Sequence, residues 1–132
     1  MMKLLTGTVL LMASSTSVLA SDQALVSPAE DESLEWGACP AFIPEGCEIA
    51  VLQGDPAKDN VDIFLKLPGD FTLPYPMHTS QERMVLISGE LELTYDNHET
   101  ATIKKGDFAY GPAKFPHKAY CKKGDDCILY IG

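Results

Sequence analysis

Residues 74–89 read PYPMHTSQERMVLISG, and the fold turns on how this stretch is read. Side chains of an extended chain alternate between two faces with a period of two. His78, Ser80 and Glu82 therefore share a face, and Met84, Leu86 and Ser88 continue it. A histidine and a carboxylate thus point the same way as a run of apolar side chains, toward an interior. A carboxylate taken into an apolar interior is costly unless a cation or hydrogen-bond donors meet it. The stretch accordingly predicts a β-strand that carries polar ligands into a core.

The flanking sequence continues in the same style. Short apolar or alternating segments at 48–53, 61–67, 71–75, 83–88, 90–95, 100–104, 108–111, 117–121 and 127–131 are separated by Gly, Pro, Asn and Asp. Such spacing predicts strands and turns, and nothing reads as a long amphipathic helix. The expected fold is all-β, a sandwich or barrel in one domain. A second histidine, His117, follows the turn GPAKFP and starts another strand. Two imidazoles and one carboxylate form a donor set for Zn, Mn, Fe, Ni or Cu. Three protein ligands leave coordination positions open for water or substrate. The competing reading is a metal-free polar pocket in which His78 and Glu82 only form hydrogen bonds.

The first twenty residues are set apart by composition. Lys3 precedes an uncharged, apolar-to-small run over 4–19, and Val18-Leu19-Ala20 places small residues where a leader peptide is cut. This predicts a secretory signal peptide over 1–20, an acidic arm over 21–38 and a barrel domain over 39–132. The run is short and rich in Ser, Thr and Gly, which argues against a membrane span. The full chain carries 10 basic and 19 acidic residues, a net charge of −9. The predicted leader takes only Lys3 with it, so the mature charge is −10. That balance argues against nucleic acid and against anionic membranes as partners. The expected location is periplasmic or extracellular.

All four cysteines lie beyond residue 20. Three pairings are open; nearness favours Cys39–Cys47 across CPAFIPEGC and Cys121–Cys127 across CKKGDDC. An even count in a small exported domain reads as a disulfide framework. Each short loop is worth about 2–3 kcal/mol by loop entropy. A zinc site is the alternative, but no Cys-x-x-Cys spacing is present.

Two segments then resemble the paired motifs of the cupin superfamily. In the first, His78 is followed by Glu82 and then Gly89; in the second, Gly106 is followed by Pro112-Ala113-Lys114 and His117. The likeness spans about residues 48–131 and implies a jelly-roll β-barrel with a metal at His78, Glu82 and His117. Pro76 stands where the family has its first histidine, Lys114 where it has the glycine of Pro-x-Gly, and Asp70 where it often has glycine. Tyr75, Ser80 and Tyr110 are candidate replacement ligands, and Phe108 and Phe115 are candidate pocket aromatics. The resemblance implies a metal-dependent enzyme on a small polar molecule, with no catalytic residue singled out. A non-enzymatic ligand- or metal-binding module with a degenerate site, and a structural barrel with a vestigial pocket, are the alternatives. It also implies pairing through the sheets as a homodimer. His98, at a hairpin tip, reads as a solvated turn residue.

Overall fold

The computed structural model describes residues 23–74 and 81–132. The leader candidate at 1–20 and the segment carrying Tyr75, Pro76, His78 and Ser80 lie outside the described residues. Ten strands follow one another: β1 Trp36–Ala38, β2 Glu48–Gln53, β3 Asp62–Leu67, β4 Phe71–Leu73, β5 Glu82–Ser88, β6 Leu91–Tyr95, β7 Ala101–Ile103, β8 Phe108–Gly111, β9 His117–Cys121 and β10 Cys127–Ile131. They form two antiparallel sheets, one in the order β1-β2-β3-β10-β5-β8 and one in the order β4-β9-β6-β7. The fold is the expected all-β jelly roll.

Alternation within strands builds the core. Leu65 and Leu67 of β3, Met84 and Leu86 of β5 and Leu129 of β10 form the inner surface of the larger sheet, all buried. Leu73, Leu91, Leu93 and Ala119 oppose them from the smaller sheet within one apolar cluster. At about 25 cal/mol per Å² of apolar surface removed from water, this shared layer is what holds the sheets together.

Both disulfides join the near cysteines, Cys39 with Cys47 and Cys121 with Cys127. The second ties the end of β9 in one sheet to the start of β10 in the other. It also explains Gly89: a Cβ there would stand 2.7 Å from Asp126 O and 2.8 Å from Cys127 Sγ, at a φ of +78°. The glycine of the first motif is thus needed because the β5–β6 turn lies directly against the bridge.

The outer face of the larger sheet is also patterned. Register runs Trp36–Ala50–Phe64–Tyr130–Val85–Phe108 straight across six strands. Ala50 and Phe64 are buried although they point away from the core, while Phe108 at the far edge is 61 % exposed. Trp36 lies in edge strand β1, with the Lys66 ammonium 3.8 Å from its ring centre. The acidic stretch before it therefore ends in the sheet.

Candidate functional site

Glu82 opens β5 and His117 opens β9, so the two sheets each deliver one polar group to the same end of the interior. His117 Nε2 lies 3.5 Å from Glu82 Oε1, with both side chains largely shielded from solvent. His117 is the single buried polar or charged residue among those described. Its other nitrogen, Nδ1, lies 3.4 Å from Phe115 O, which accepts from the tautomer that carries its proton at Nδ1. The neutral ring then presents a lone pair at Nε2 toward a carboxylate oxygen, which is also an acceptor. In that tautomer the two acceptors are joined by a proton on either group or by a metal ion.

The spacing fits an ion. Imidazole and carboxylate donors bind Zn²⁺ at about 2.0–2.2 Å, which sets neighbouring donors on one ion about 3–3.5 Å apart. The Nδ1–carbonyl contact is the outer support that metal-bound histidines usually carry. Among the described residues no third His, Cys, Asp or Glu joins the pair. The third expected ligand, His78, lies outside them.

Tyr95, at the end of β6, is a site residue that the sequence reading passed over. Its ring centre is 5.4 Å from that of His117. Its hydroxyl is buried with no hydrogen-bond partner among the described residues. Burial, and next the negative charge of Glu82, push its pKa up to about 12. Gly111, which pairs with Glu82 across β5 and β8, makes room for it: a Cβ on Gly111 would stand 3.0 Å from Tyr95 Cε1. The available signal was register, because Tyr95 pairs directly with His117.

The other candidate aromatics divide. Phe115 packs on Tyr95, with ring centres 6.2 Å apart. Phe108 and Tyr110 face outward on β8, exposed, and the Tyr110 hydroxyl is hydrogen-bonded to the Gln81 side-chain amide at 3.0 Å. Tyr110 is thus no replacement ligand. His98 is exposed at its turn, its Nδ1 2.8 Å from Asp96 O. Lys114 is exposed and Asp70 is exposed, and both hold left-handed backbone, with φ of 58° and 62°. That is the conformation for which glycine is suited at these two positions.

Glu82 and His117 border an interior cavity of about 220 Å³. Fourteen of its sixteen described lining residues are apolar, and among the described residues this pair is its polar end. Pro40, Phe42 and Ile43, inside the loop closed by Cys39–Cys47, form part of its wall.

Residues 18–132 match the family described as a domain of unknown function, DUF4437. The chain belongs to the DUF4437 family. Solved structures similar to this DUF4437 chain include a predicted oxalate decarboxylase from Thermotoga maritima, at 19 % identity and a TM-score of 0.64, covering 81 % of this chain and 96 % of that one. An RmlC-like cupin from Shewanella frigidimarina matches at 16 % identity and a TM-score of 0.62, over 76 % and 84 % of the two chains. KdgF from Halomonas sp. matches at 15 % and 0.60, over 74 % and 84 %. These likenesses establish the cupin fold for the DUF4437 chain. No curated protein matches the chain.

Proposed function

We propose that this DUF4437 chain is an exported cupin that binds a small molecule at a divalent metal held by His78, Glu82 and His117. The carrying observation is the 3.5 Å approach of His117 Nε2 to Glu82 Oε1, with His117 Nδ1 turned away to Phe115 O. That arrangement leaves two acceptors aimed at one point, as a metal site needs. A metal there would act as a Lewis acid on a bound oxygen. The protein's own share is to orient the imidazole through Phe115 and to keep bulk water out with apolar walls. Export over residues 1–20 is supported by the apolar leader and by two disulfides, which persist in oxidising compartments. The acidic arm over 21–38, the barrel over 39–132 and pairing as a homodimer belong to the same proposal.

A second reading, a binding module without a metal, is favoured by Pro76 in place of the family's first histidine. Its prediction is a protonated His117 bound to Glu82. Elemental analysis of protein purified from an oxidising compartment separates the two. About one equivalent of Zn, Mn, Fe, Ni or Cu, lost in Glu82→Ala, His117→Ala and His78→Ala, supports the metal site. No metal, and no thermal stabilisation on adding any of these ions, leaves the metal-free module.

A further inference from the structure

We propose that the ligand of this barrel is a compact molecule with a hydrocarbon body of about six to nine heavy atoms and a single polar head, and that Ala119 sets the length of the body. The inference rests on reading Glu82 and His117 as the polar end of the ligand site, and it names the class of molecule that end receives.

Three observations carry it. The cavity offers polarity at one place: beyond Glu82 and His117 its described walls are aliphatic, proline, methionine or phenylalanine side chains. Leu65, Leu67, Leu91, Leu93 and Leu129 are buried donors of that wall and carry no hydrogen-bonding atom on their side chains. A second hydroxyl, amine or carboxylate on the guest would lose its water and find no replacement partner there, at a cost of 1–3 kcal/mol or more. Against the described walls, sugars, diacids and polyols therefore bind more weakly than a guest with one polar head, whatever that head is.

Size gives the second limit. A dry cavity of about 150 Å³ holds a benzene-sized guest. The roughly 220 Å³ here holds a body of about six to nine heavy atoms, well short of the 300–1,000 Å³ of sites for drug-sized ligands. The third observation is Ala119, which is 4 % exposed and lines the cavity from β9 two residues after His117. The two share one face of the strand by alternation, so Ala119 sits just past the polar end. A larger side chain there shortens the space available to a guest that starts at His117.

Isothermal titration with two probe series tests this on protein made from the full chain and purified from an oxidising compartment. One series is 1-alkanols of three to ten carbons and the other the matching n-alkanoates, each compared with the α,ω-diol or diacid of the same length. The expected result is about four-fold tighter binding per added methylene, a maximum near six to eight carbons, and at least ten-fold weaker binding of every diol and diacid. Ala119→Leu is expected to move the maximum two to three carbons shorter. A flat chain-length dependence, diols as tight as alkanols, or an unmoved maximum in a folded Ala119→Leu protein overturns the proposal. The alkanol series repeated after metal removal reads the apolar body alone, whereas a preference for alkanoate over alkanol that vanishes with the metal reads the metal site. A chain-length slope without that preference sinks the metal reading and leaves the hydrocarbon ligand standing; the preference without a slope does the reverse. Should Ala119→Leu fail to fold, Leu93→Ala serves in its place and is expected to lengthen the maximum.

Discussion

Tyr95 and Gly111 are matched to one another: the tyrosine ring occupies the space where any other residue at 111 would place its Cβ, 3.0 Å from Cε1. Gly111 in turn is the register partner of Glu82, and Tyr95 that of His117. The glycine thus lets an aromatic ring close the gap between the sheets behind the polar pair. Gly111→Ala is expected to lower stability by about 1–3 kcal/mol, as overpacking does. Tyr95→Leu in the Gly111→Ala background should recover part of that loss. Urea denaturation of the two single variants and the double variant measures the coupling, and strict additivity would contradict the match.

Alkaline pH provides a second test. Burial and the charge of Glu82 push the Tyr95 hydroxyl up to about 12, above the ordinary tyrosine value of 10.0. Its folded form holds the proton more tightly than the unfolded chain does, so the stability tied to this group is fully present below pH 10 and is lost as pH rises from 10 through 12. Tyr120 and Tyr130 shift the same way through their hydrogen bonds to Asp70 and Asp62. Denaturation between pH 9 and 12 should therefore fall less steeply in Tyr95→Phe than in wild type. At pH 7 the same variant should be within about 1 kcal/mol of wild type, because its hydroxyl has no partner to lose among the described residues. Equal slopes would show that Tyr95 is not the group concerned.

Metal affinity is the third. Glu82→Gln keeps the shape of the side chain but removes its charge. It is expected to weaken Zn²⁺ binding at least 100-fold in a competition titration with a chromophoric chelator, while the thermal midpoint of metal-free protein changes by only a few degrees. Unchanged Zn²⁺ affinity would remove Glu82 from the ligand set.

Lys114 offers a gain. Left-handed backbone costs a residue with a Cβ about 1–2 kcal/mol, while glycine pays about 0.5–1 kcal/mol more in chain entropy. Lys114→Gly should stabilise the fold by roughly 0.5–1 kcal/mol by that difference. Chemical denaturation detects this, and a destabilised variant would mean that the lysine side chain makes a contribution of its own.

Much of this was legible in the sequence. Alternation along Glu82, Met84 and Leu86 placed the carboxylate on the inner face, and the structure puts Met84 and Leu86 in the core. Turn residues located the strands to within a few positions, and nearness alone paired the cysteines. The missing pieces depend on contacts between distant segments. Tyr95 only closes the alternating segment 90–95 in sequence, and it is the β6–β9 register that sets it against His117. Tyr110 looked like a pocket residue, but β8 is an edge strand and turns it outward. β1 escaped because three residues carry no period. The apolar character of the cavity was hidden for a related reason: its walls come from both sheets and the Cys39–Cys47 loop, so no single stretch of sequence displays it.

The strand order has a consequence for how the chain comes to be folded. β10 follows the other nine described strands in the chain, yet it lies between β3 and β5 in the middle of the larger sheet. Until it emerges from the ribosome, β3 and β5 have no shared partner and the sheet exists as two unconnected halves. The larger sheet therefore becomes continuous only when β10 joins its first and second halves.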